Sequence, residues 1–356
     1  MRFGERQHKI RERLQLENLD ALLVTSMPNI RYLTGFTGST AQLLITESET
    51  LFITDSRYVV QAERQVAGRV VKVEESYLKT VGETIREARF RRVGFESAHV
   101  TYQQLNDLFK PVTGTLMFVP TTELVESLRL VKEPEEIEAI RRAVRVTSDV
   151  FEEWIEEIKP GVRECDLALE LEYRLRRRGA EKMSFDTIIA SGQRSALPHG
   201  VASDKRIDRG FVVCDFGIVL DGYCSDITRT VYVGNPDGQA REIYGTVLSA
   251  QLNCEQHIRS GMESRAIDAL TRDVITARGY GEQYGHSTGH GVGLEVHEAP
   301  RLSKTANGVV PAGAVVTVEP GVYVPEWGGV RIEDVVVVTE TGCEVLTPTP
   351  KELIVL

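Results

Sequence analysis

The sequence has 356 residues, of which 42% are hydrophobic and 26% are charged, and this composition is typical of a globular chain. At roughly 100–200 residues per domain, the length predicts two domains or one large domain. The 52 acidic residues exceed the 42 basic ones, and the formal charge of −10 argues against a sequence-blind nucleic-acid binder or a protein that binds anionic membranes.

The five cysteines include no C-x-x-C pair, which argues against a zinc ribbon or a disulfide framework and fits a reducing compartment. Residues 1–16 mix charged and isolated apolar residues, unlike a secretory signal. No stretch approaches the ~18 apolar residues of a membrane span. We therefore expect a cytoplasmic protein that does not contact membranes.

The first third of the chain alternates strand-like and helix-like segments and predicts an α/β domain over residues 1–125. Helices are predicted at 58–66 and 78–89. The predicted strands are 20–26, 41–46, 51–54, 70–73 and 92–95, of which the second and third are close enough to form a hairpin.

A second domain, residues 126–356, is predicted to contain four helices and several valine-rich strands. The first helix begins at Pro134, because proline suits the first helical position, and it ends before Pro160-Gly161. The other helices are predicted over 163–178, 240–258 and 264–278, with Ser264 as the N-cap of the last. The predicted strands cover 185–190, 210–233, 314–319 and 330–339.

Two aspartates, Asp215 and Asp226, belong to a predicted β-hairpin. If Asp221-Gly222, a strong turn signal, forms the loop, Asp215 faces Thr228 and Asp226 lies one diagonal step away. If Leu220-Asp221 forms the loop, the two aspartates are direct partners. Both registers place them on one face, where like charges repel unless a divalent cation compensates them. Two solvent-facing aspartates are the alternative, but both strands are otherwise apolar.

Three further segments supply candidate ligands. His290 lies in a glycine-dense stretch that suits close approach of the backbone to a ligand, and Glu319 ends a predicted strand. In the last strand Arg331 and Glu333 share a face, while Asp334 points away. Four carboxylates and one imidazole suit Mn²⁺, Co²⁺ or Zn²⁺ in a dinuclear hydrolase site, rather than a closed structural zinc.

A competing hypothesis is a serine hydrolase, because residues 285–289 match G-x-S-x-G with Ser287 as the nucleophile. That motif requires a strand before it and a helix after it, whereas both flanks here are rich in glycine. The base could only be His290 or His297, with Glu295 as an acid implausibly close to either. We therefore disfavour this hypothesis.

A series of short motifs runs in one order along nearly the whole chain. They are NIRYLTGF from Asn29, TDSRY from Thr54, VKEPEEI from Val131, LPHG from Leu197, DFG from Asp215, SDITRT from Ser225, residues 286–293, VHE from Val296, TVEPG from Thr317 and VRIED from Val330. This series resembles the proline-specific metallopeptidases, which are the Xaa-Pro dipeptidases (prolidases) and X-prolyl aminopeptidases. The resemblance implies a creatinase/prolidase-like N-terminal domain followed by a catalytic domain with the pita-bread fold.

The resemblance also implies roles for individual residues. Two divalent ions are expected, with Mn²⁺ preferred over Co²⁺ or Zn²⁺, and Asp226 and Glu333 would bridge them. The implied metal ligands are Asp215, Asp226, His290, Glu319 and Glu333; the implied catalytic residues are His199, His297, Glu319 and Arg331; the implied substrate-binding residues are His199, His286, His297 and Arg301. Arg331 would lie beside Glu333, and a salt bridge that orients Glu333 could be its whole role.

The implied reaction is hydrolysis of the Xaa-Pro bond in dipeptides or short peptides. An X-prolyl aminopeptidase that acts on longer peptides stays open, because Arg301 favours a dipeptidase only slightly. A non-catalytic peptide-binding module on the same fold is a remote alternative, since all five ligands are intact. The resemblance further suggests a homodimer, with the N-terminal domain of one subunit bordering the active site of the other.

Overall fold

The computed structural model describes residues 2–109 and 116–356, which separate into two compact units, Met1–Arg129 and Leu130–Leu356. The sequence pattern places the domain boundary slightly earlier, after residue 125. Both units combine helices with sheets, as the predicted α/β class requires. None of the helices in the described part of the chain has the length and apolar character needed to cross a membrane. The five cysteines are free thiols.

The first unit is built on one mixed sheet with the strand order β4-β3-β2-β1-β5-β6. The strands are β1 (Ala21–Val24), β2 (Gln42–Thr46), β3 (Thr50–Thr54), β4 (Arg69–Lys72), β5 (Arg92–Glu96) and β6 (Met117–Thr121). The predicted β2–β3 hairpin is confirmed by its antiparallel pairing. The parallel strand β6 lies beyond the five predicted strands.

Helices cover the sheet of the first unit. They are α1 (Phe3–Leu16), α2 (Met27–Thr34), α3 (Val59–Gln65), α4 (Tyr77–Glu87), α5 (Tyr102–Phe109) and α6 (Glu126–Arg129). Every residue of β1, β2 and β3 is buried, which requires cover on both faces. Ile85 of α4 and Leu108 of α5 pack on the face that contains Leu23 and Leu44. Of these helices, only α3 and α4 were predicted from the sequence.

The second unit contains the four predicted helices α7 (Pro134–Trp154), α8 (Glu164–Arg177), α9 (Gly238–His257) and α10 (Ser264–Ala277). Pro134 stands at the start of α7, where Glu133 and Glu136 form a reciprocal capping box. The prediction that Ser264 caps α10 is wrong. Ser264 is the first helical residue, and Glu263 holds the cap position without a side-chain hydrogen bond.

Most strands of the second unit form two sheets, β12-β9-β8 and β14-β13-β15-β18-β19. The strands are β7 (Lys182–Met183), β8 (Ile188–Ser191), β9 (Gly210–Phe216), β10 (Ile218–Leu220), β11 (Tyr223–Cys224), β12 (Ile227–Val233), β13 (Gly289–Gly291), β14 (Glu298–Leu302), β15 (Val315–Val318), β16 (Gly321–Val324), β17 (Gly328–Arg331), β18 (Asp334–Val338) and β19 (Cys343–Val345). The two sheets meet where Thr228 forms a bridge with Glu333.

The single strand predicted over 330–339 is two strands, because its halves belong to different sheets. β17 pairs with β16, whereas β18 pairs with β15. Glu333 lies at the break, and its side chain accepts a hydrogen bond from Thr228. Asp334 turns to the opposite side, as predicted, and pairs with the buried Arg229 at 2.7 Å. The break therefore puts Glu333 between the β16-β17 sheet and the five-stranded sheet, beside Thr228 of β12.

Candidate metal centre

The hairpin that carries Asp215 and Asp226 has the first of the two predicted registers. Leu220 pairs with Tyr223, so that Asp221-Gly222 is the loop, and Asp215 pairs with Thr228. The φ angles of 51° and 81° in the loop are the left-handed values that a type I′ turn requires. Both aspartates are buried, which rules out the alternative of two solvent-facing side chains.

His290 lies in β13 and faces two carboxylates. Its Nε2 is 3.3 Å from Oε1 of Glu319 and 3.7 Å from Oδ2 of Asp226. Its Nδ1 is 3.1 Å from the carbonyl oxygen of Gly291. A carbonyl can only accept a hydrogen bond, so the ring proton is on Nδ1 and the Nε2 lone pair faces the carboxylates. Burial lowers the pKa of His290 to about 4, which keeps the ring neutral at pH 7.

Asp226, His290 and Glu333 form a cluster whose ligand atoms all lie within 4.8 Å of one another. Glu333 accepts a hydrogen bond from Thr228 through Oε2 at 2.6 Å. Within the described ranges, Oε1 of Glu333 and Oδ1 of Asp215 are buried and have no hydrogen-bond partner. Buried acceptors that converge without a donor between them require either protons or a cation. The donor set therefore fits divalent metal ions.

The prediction that Arg331 forms a salt bridge with Glu333 is wrong, because its ionic partner is Asp215. Nη2 of Arg331 lies 2.5 Å from Oδ2 of Asp215, and Nε donates to Oγ1 of Thr228 at 3.0 Å. Since Thr228 also donates to Glu333, the threonine hydroxyl links Arg331 to that glutamate by hydrogen bonds. The guanidinium thus orients one acid directly and the other indirectly.

Tyr323 is a residue of this site that the sequence analysis missed. Its hydroxyl accepts a hydrogen bond from Nη1 of Arg331 at 2.7 Å and lies 3.0 Å from Nε2 of His286. Nδ1 of His286 donates to the carbonyl oxygen of Ser287 at 2.8 Å, so its Nε2 is unprotonated and the Tyr323 hydroxyl donates to it. Burial lowers the pKa of His286 to about 4, in agreement with a neutral ring. A Cβ atom added to Gly321 would lie 2.6 Å from the Tyr323 hydroxyl, so the backbone is tightly packed against this tyrosine.

His199, His297 and Arg301 are exposed around the cluster. The ring centroids of His297 and His290 are 4.2 Å apart, and Arg301 pairs in register with His290 across β13 and β14. Partial desolvation of its ring lowers the pKa of His297, and the negative charge of Asp215 opposes this effect. The charge of His199 also contributes to the lowered pKa of His286. All of the site residues inferred from the sequence thus lie in or around one centre.

The serine hydrolase hypothesis has no support in the structure around Ser287. A short helical turn, Gly281–Gln283, precedes this serine, and strand β13 comes after it. The strand–turn–helix geometry of a nucleophile elbow is therefore not formed at this position.

Three of the clustered acids, Asp226, Glu319 and Glu333, have raised pKa values. Burial raises the pKa of Glu319 to about 8, and the negative charge of Asp215 adds to this effect while Arg331 opposes it. Burial and the neighbouring carboxylates also raise the pKa values of Asp226 and Glu333. Without a cation, these carboxyl groups therefore hold protons at pH values where isolated carboxyl groups are ionised.

We expect the metal-free protein to lose stability as the pH rises from 6.5 to 8. A carboxyl group whose folded pKa is raised binds more protons in the folded than in the unfolded state, so its contribution to stability is lost as the pH rises through that pKa. His286 and His290 act in the opposite direction, but only between about 4 and 6.5. The measurement is the free energy of unfolding, from urea titrations with a chelator present, as a function of pH. This free energy should fall by up to about 1.4 kcal/mol per pH unit for each additional proton that the folded state binds.

Glu319→Gln is the control for this pH effect, because the amide removes one titrating group and should reduce the slope. Saturating Mn²⁺ should also reduce the slope, since a bound cation keeps the carboxylates ionised. A free energy of unfolding that is constant over this pH range would contradict the assignment of raised pKa values to the cluster.

Comparison with known proteins gives matches along the whole chain. Residues 138–340 match metallopeptidase family M24, and residues 6–131 match the creatinase/prolidase N-terminal domain. The structure of an Xaa-Pro dipeptidase from Bacillus anthracis is similar, with 45% identity, a TM-score of 0.97 and coverage of 99% of this chain and 100% of that chain.

Two further relatives differ in the activity that their names state. An Xaa-Pro dipeptidase from Pyrococcus horikoshii is 40% identical over 99% of each chain. The structure of an X-Pro aminopeptidase from Thermotoga maritima is 39% identical, with a TM-score of 0.89 and coverage of 96% of this chain and 99% of that chain.

Proposed function

The chain belongs to metallopeptidase family M24, and from this premise we propose that it is an Xaa-Pro dipeptidase that depends on divalent metal ions. Its architecture is a creatinase/prolidase N-terminal domain followed by the pita-bread domain of this family. The observation that carries the proposal is the cluster of Asp226, His290 and Glu333, whose buried acceptors converge on one point. Similarity to Xaa-Pro dipeptidases over the full length supports this choice of substrate.

We propose that Asp215, Asp226, His290, Glu319 and Glu333 hold two divalent ions. Asp215, Asp226, Glu319 and Glu333 would supply carboxylate oxygens to the ions, and His290 would supply its Nε2 lone pair. A set dominated by carboxylate oxygens favours Mn²⁺, with Co²⁺ or Zn²⁺ as alternatives. The ions would acidify a water molecule and polarise the scissile carbonyl group.

The remaining chemistry belongs to side chains of the protein. Glu319, or a neighbouring carboxylate of the cluster, accepts the proton that the attacking water loses and delivers it to the proline nitrogen as the C–N bond breaks. His297 stabilises the developing negative charge on the carbonyl oxygen by a hydrogen bond. His199 holds the substrate near the Xaa-Pro amide, which has no N–H group of its own. Arg331 orients Asp215, and Tyr323 holds His286, to which we assign a role in substrate binding.

The second candidate function is an X-prolyl aminopeptidase, which the similarity to the Thermotoga maritima structure favours. The substrates of the two functions differ in the group on the C-terminal side of proline: a free carboxylate in a dipeptide and a peptide bond in a longer substrate. One preparation supplied with Mn²⁺ should be assayed with Ala-Pro and with Ala-Pro-Ala. A higher kcat/KM for Ala-Pro supports the dipeptidase, and the reverse order supports the aminopeptidase. Activity that survives exhaustive chelation would overturn both.

Arg301→Ala is expected to lower kcat/KM for Ala-Pro by about tenfold to a hundredfold, because a hydrogen bond between charged groups contributes roughly 1.5–3 kcal/mol. Arg301 is exposed and pairs with His290 across β13 and β14, and we propose that its guanidinium binds the proline carboxylate of a dipeptide. The measurement compares Ala-Pro with Ala-Pro-amide. The wild type should prefer the free acid, and the variant should lose that preference. An unchanged preference would remove Arg301 from the carboxylate site.

A homodimer and a cytoplasmic location, both expected from the sequence, are also part of the proposal. Light scattering coupled to size-exclusion chromatography should give twice the mass of 39.7 kDa. A monomer mass at micromolar concentration would exclude the dimer.

A further inference from the structure

The loop that carries His199 is closed at both ends by one buried side chain. The loop, residues 191–203, begins at the end of β8, and Glu164 is the first residue of α8. Oε1 of Glu164 accepts hydrogen bonds from the backbone N–H of Ser191 at 2.8 Å and from its hydroxyl at 2.7 Å. Oε2 accepts from the N–H of Ser203 at 3.2 Å and from its hydroxyl at 2.6 Å. The carboxylate is 0% exposed.

Arg194 extends this attachment into the loop. Its Nη1 forms an ion pair with Oε2 of Glu164, and its Nη2 donates to the carbonyl oxygen of Val201 at 2.7 Å. We refer to Glu164, Ser191, Arg194 and Ser203 as the Glu164 clasp. The clasp thus holds the start, the first turn and the end of the loop.

The middle of the loop is attached to strand β17. The hydroxyl of Ser195 accepts a hydrogen bond from the N–H of Gly329 at 2.8 Å. Nη1 of Arg331 donates to the carbonyl oxygen of Pro198 at 3.1 Å. Pro198 directly precedes His199, so the backbone at the histidine is linked to the arginine that pairs with Asp215.

His199 depends on these attachments because its own surroundings do not orient it. It is exposed, and its ring forms no hydrogen bond to any residue that the structure describes. Leu197 and Val201, on either side, are 52% and 50% exposed, so apolar burial does not hold the tip of the loop either. The direction of the His199 side chain is therefore set by the backbone, and the backbone is set by polar contacts.

We infer that Glu164 is a positioning residue for His199, and that the Glu164 clasp keeps the loop in the conformation that presents this histidine to the substrate. The inference rests on the proposed function, because His199 acts on the substrate only if the chain is an Xaa-Pro peptidase. A glutamine at 164 has nearly the same shape, but its amide NH₂ group cannot accept hydrogen bonds. One end of the loop would then lose its acceptor.

The first test is a double-mutant cycle with Glu164→Gln and His199→Ala, measured as kcat/KM for Ala-Pro with the Mn²⁺-loaded enzyme. We expect Glu164→Gln to lower kcat/KM by about tenfold to a hundredfold, by analogy with the residues that orient metal-binding side chains. In the His199→Ala background it should cause little further loss, because its effect passes through the histidine. If Glu164→Gln lowers kcat/KM by the same factor with and without His199, the inference is wrong. Asp166→Asn on the same helix is the matched control, since Asp166 pairs with Arg163 at the surface.

The second test does not depend on activity. Hydrogen–deuterium exchange should be faster in peptides covering residues 191–203 of Glu164→Gln, and unchanged in peptides from α8 beyond its first turn and from β9. Ser203→Ala releases only one end of the loop and serves if Glu164→Gln does not fold. If exchange in the loop is unchanged in both variants, the inference is wrong. If exchange increases but no Xaa-Pro peptide is hydrolysed even by the wild type, the clasp stands and the proposed function fails.

Discussion

Asp226→Asn is expected to lower kcat/KM for Ala-Pro by about three orders of magnitude, because a bound cation contributes several kcal/mol of transition-state stabilisation and each 1.36 kcal/mol is a factor of ten. Asp226 lies in the cluster with His290 and Glu333, and an amide in its place removes one charge from that cluster. The measurements are steady-state kinetics and the metal content after dialysis, which should fall below that of the wild type.

The stability of the metal-free variant separates loss of metal from loss of fold. Burial and three neighbouring carboxylates raise the pKa of Asp226, so its charge destabilises the folded state without metal. At pH 8 the metal-free Asp226→Asn protein should therefore be at least as stable as the wild type. Asp221→Asn, at the exposed turn of the same hairpin, is the matched control and should keep full activity. Full activity of Asp226→Asn would contradict the proposed metal centre.

Arg331→Met is expected to lower the free energy of unfolding by about 3–5 kcal/mol, which is the usual effect of removing one partner of a buried ion pair. Arg331 is 4% exposed, and its loss leaves Asp215 without its cationic partner. The hydroxyl of Tyr323 and the carbonyl oxygen of Pro198 each lose a donor as well. Urea unfolding in the presence of a chelator measures the effect without a contribution from bound metal.

Two other variants test whether the position of Arg331, and not merely its charge, is responsible. Arg331→Lys keeps the positive charge, but its three N–H groups cannot serve the four acceptors of the arginine, which are Asp215, Thr228, Tyr323 and Pro198, so part of the loss should remain. Arg142→Met removes an arginine that pairs with the exposed Asp221, and it should cost less than about 1 kcal/mol. Equal losses in the free energy of unfolding for Arg331→Met and Arg142→Met would show that the buried ion pair stabilises the fold no more than the exposed one.

Much of the site can be predicted from local patterns in the sequence. Asp215 and Asp226 lie on one face because side chains alternate along a strand with a period of two, whichever turn joins the strands. The turn at Asp221-Gly222 was also predictable, since both positions require left-handed backbone angles. By contrast, α1 was not predicted, because Ile10 and Leu14 are its few buried apolar residues and charged side chains surround them.

The contacts between distant segments were not predictable in this way. Alternation along one strand correctly placed Arg331 and Glu333 on one side, but it could not show that the strand is interrupted between them. Nor could it show that the guanidinium reaches Asp215, which is 116 positions away in the chain. Tyr323 was missed for the same reason, since its partners His286 and Arg331 come from other segments.

The length, composition and charge of the sequence excluded some classes of partner, and the ordered motifs determined the family and the set of acidic and imidazole groups. Periodicity and turn preference are properties of neighbouring residues, so the sequence by itself determined which face each acid occupies. The tertiary structure alone decided which donor meets which acceptor, because that depends on how β9, β12, β13 and β17 are placed around one point. A buried oxygen without a donor becomes visible only after that placement, and the oxygens of Asp215 and Glu333 in this state are what indicate a metal ion.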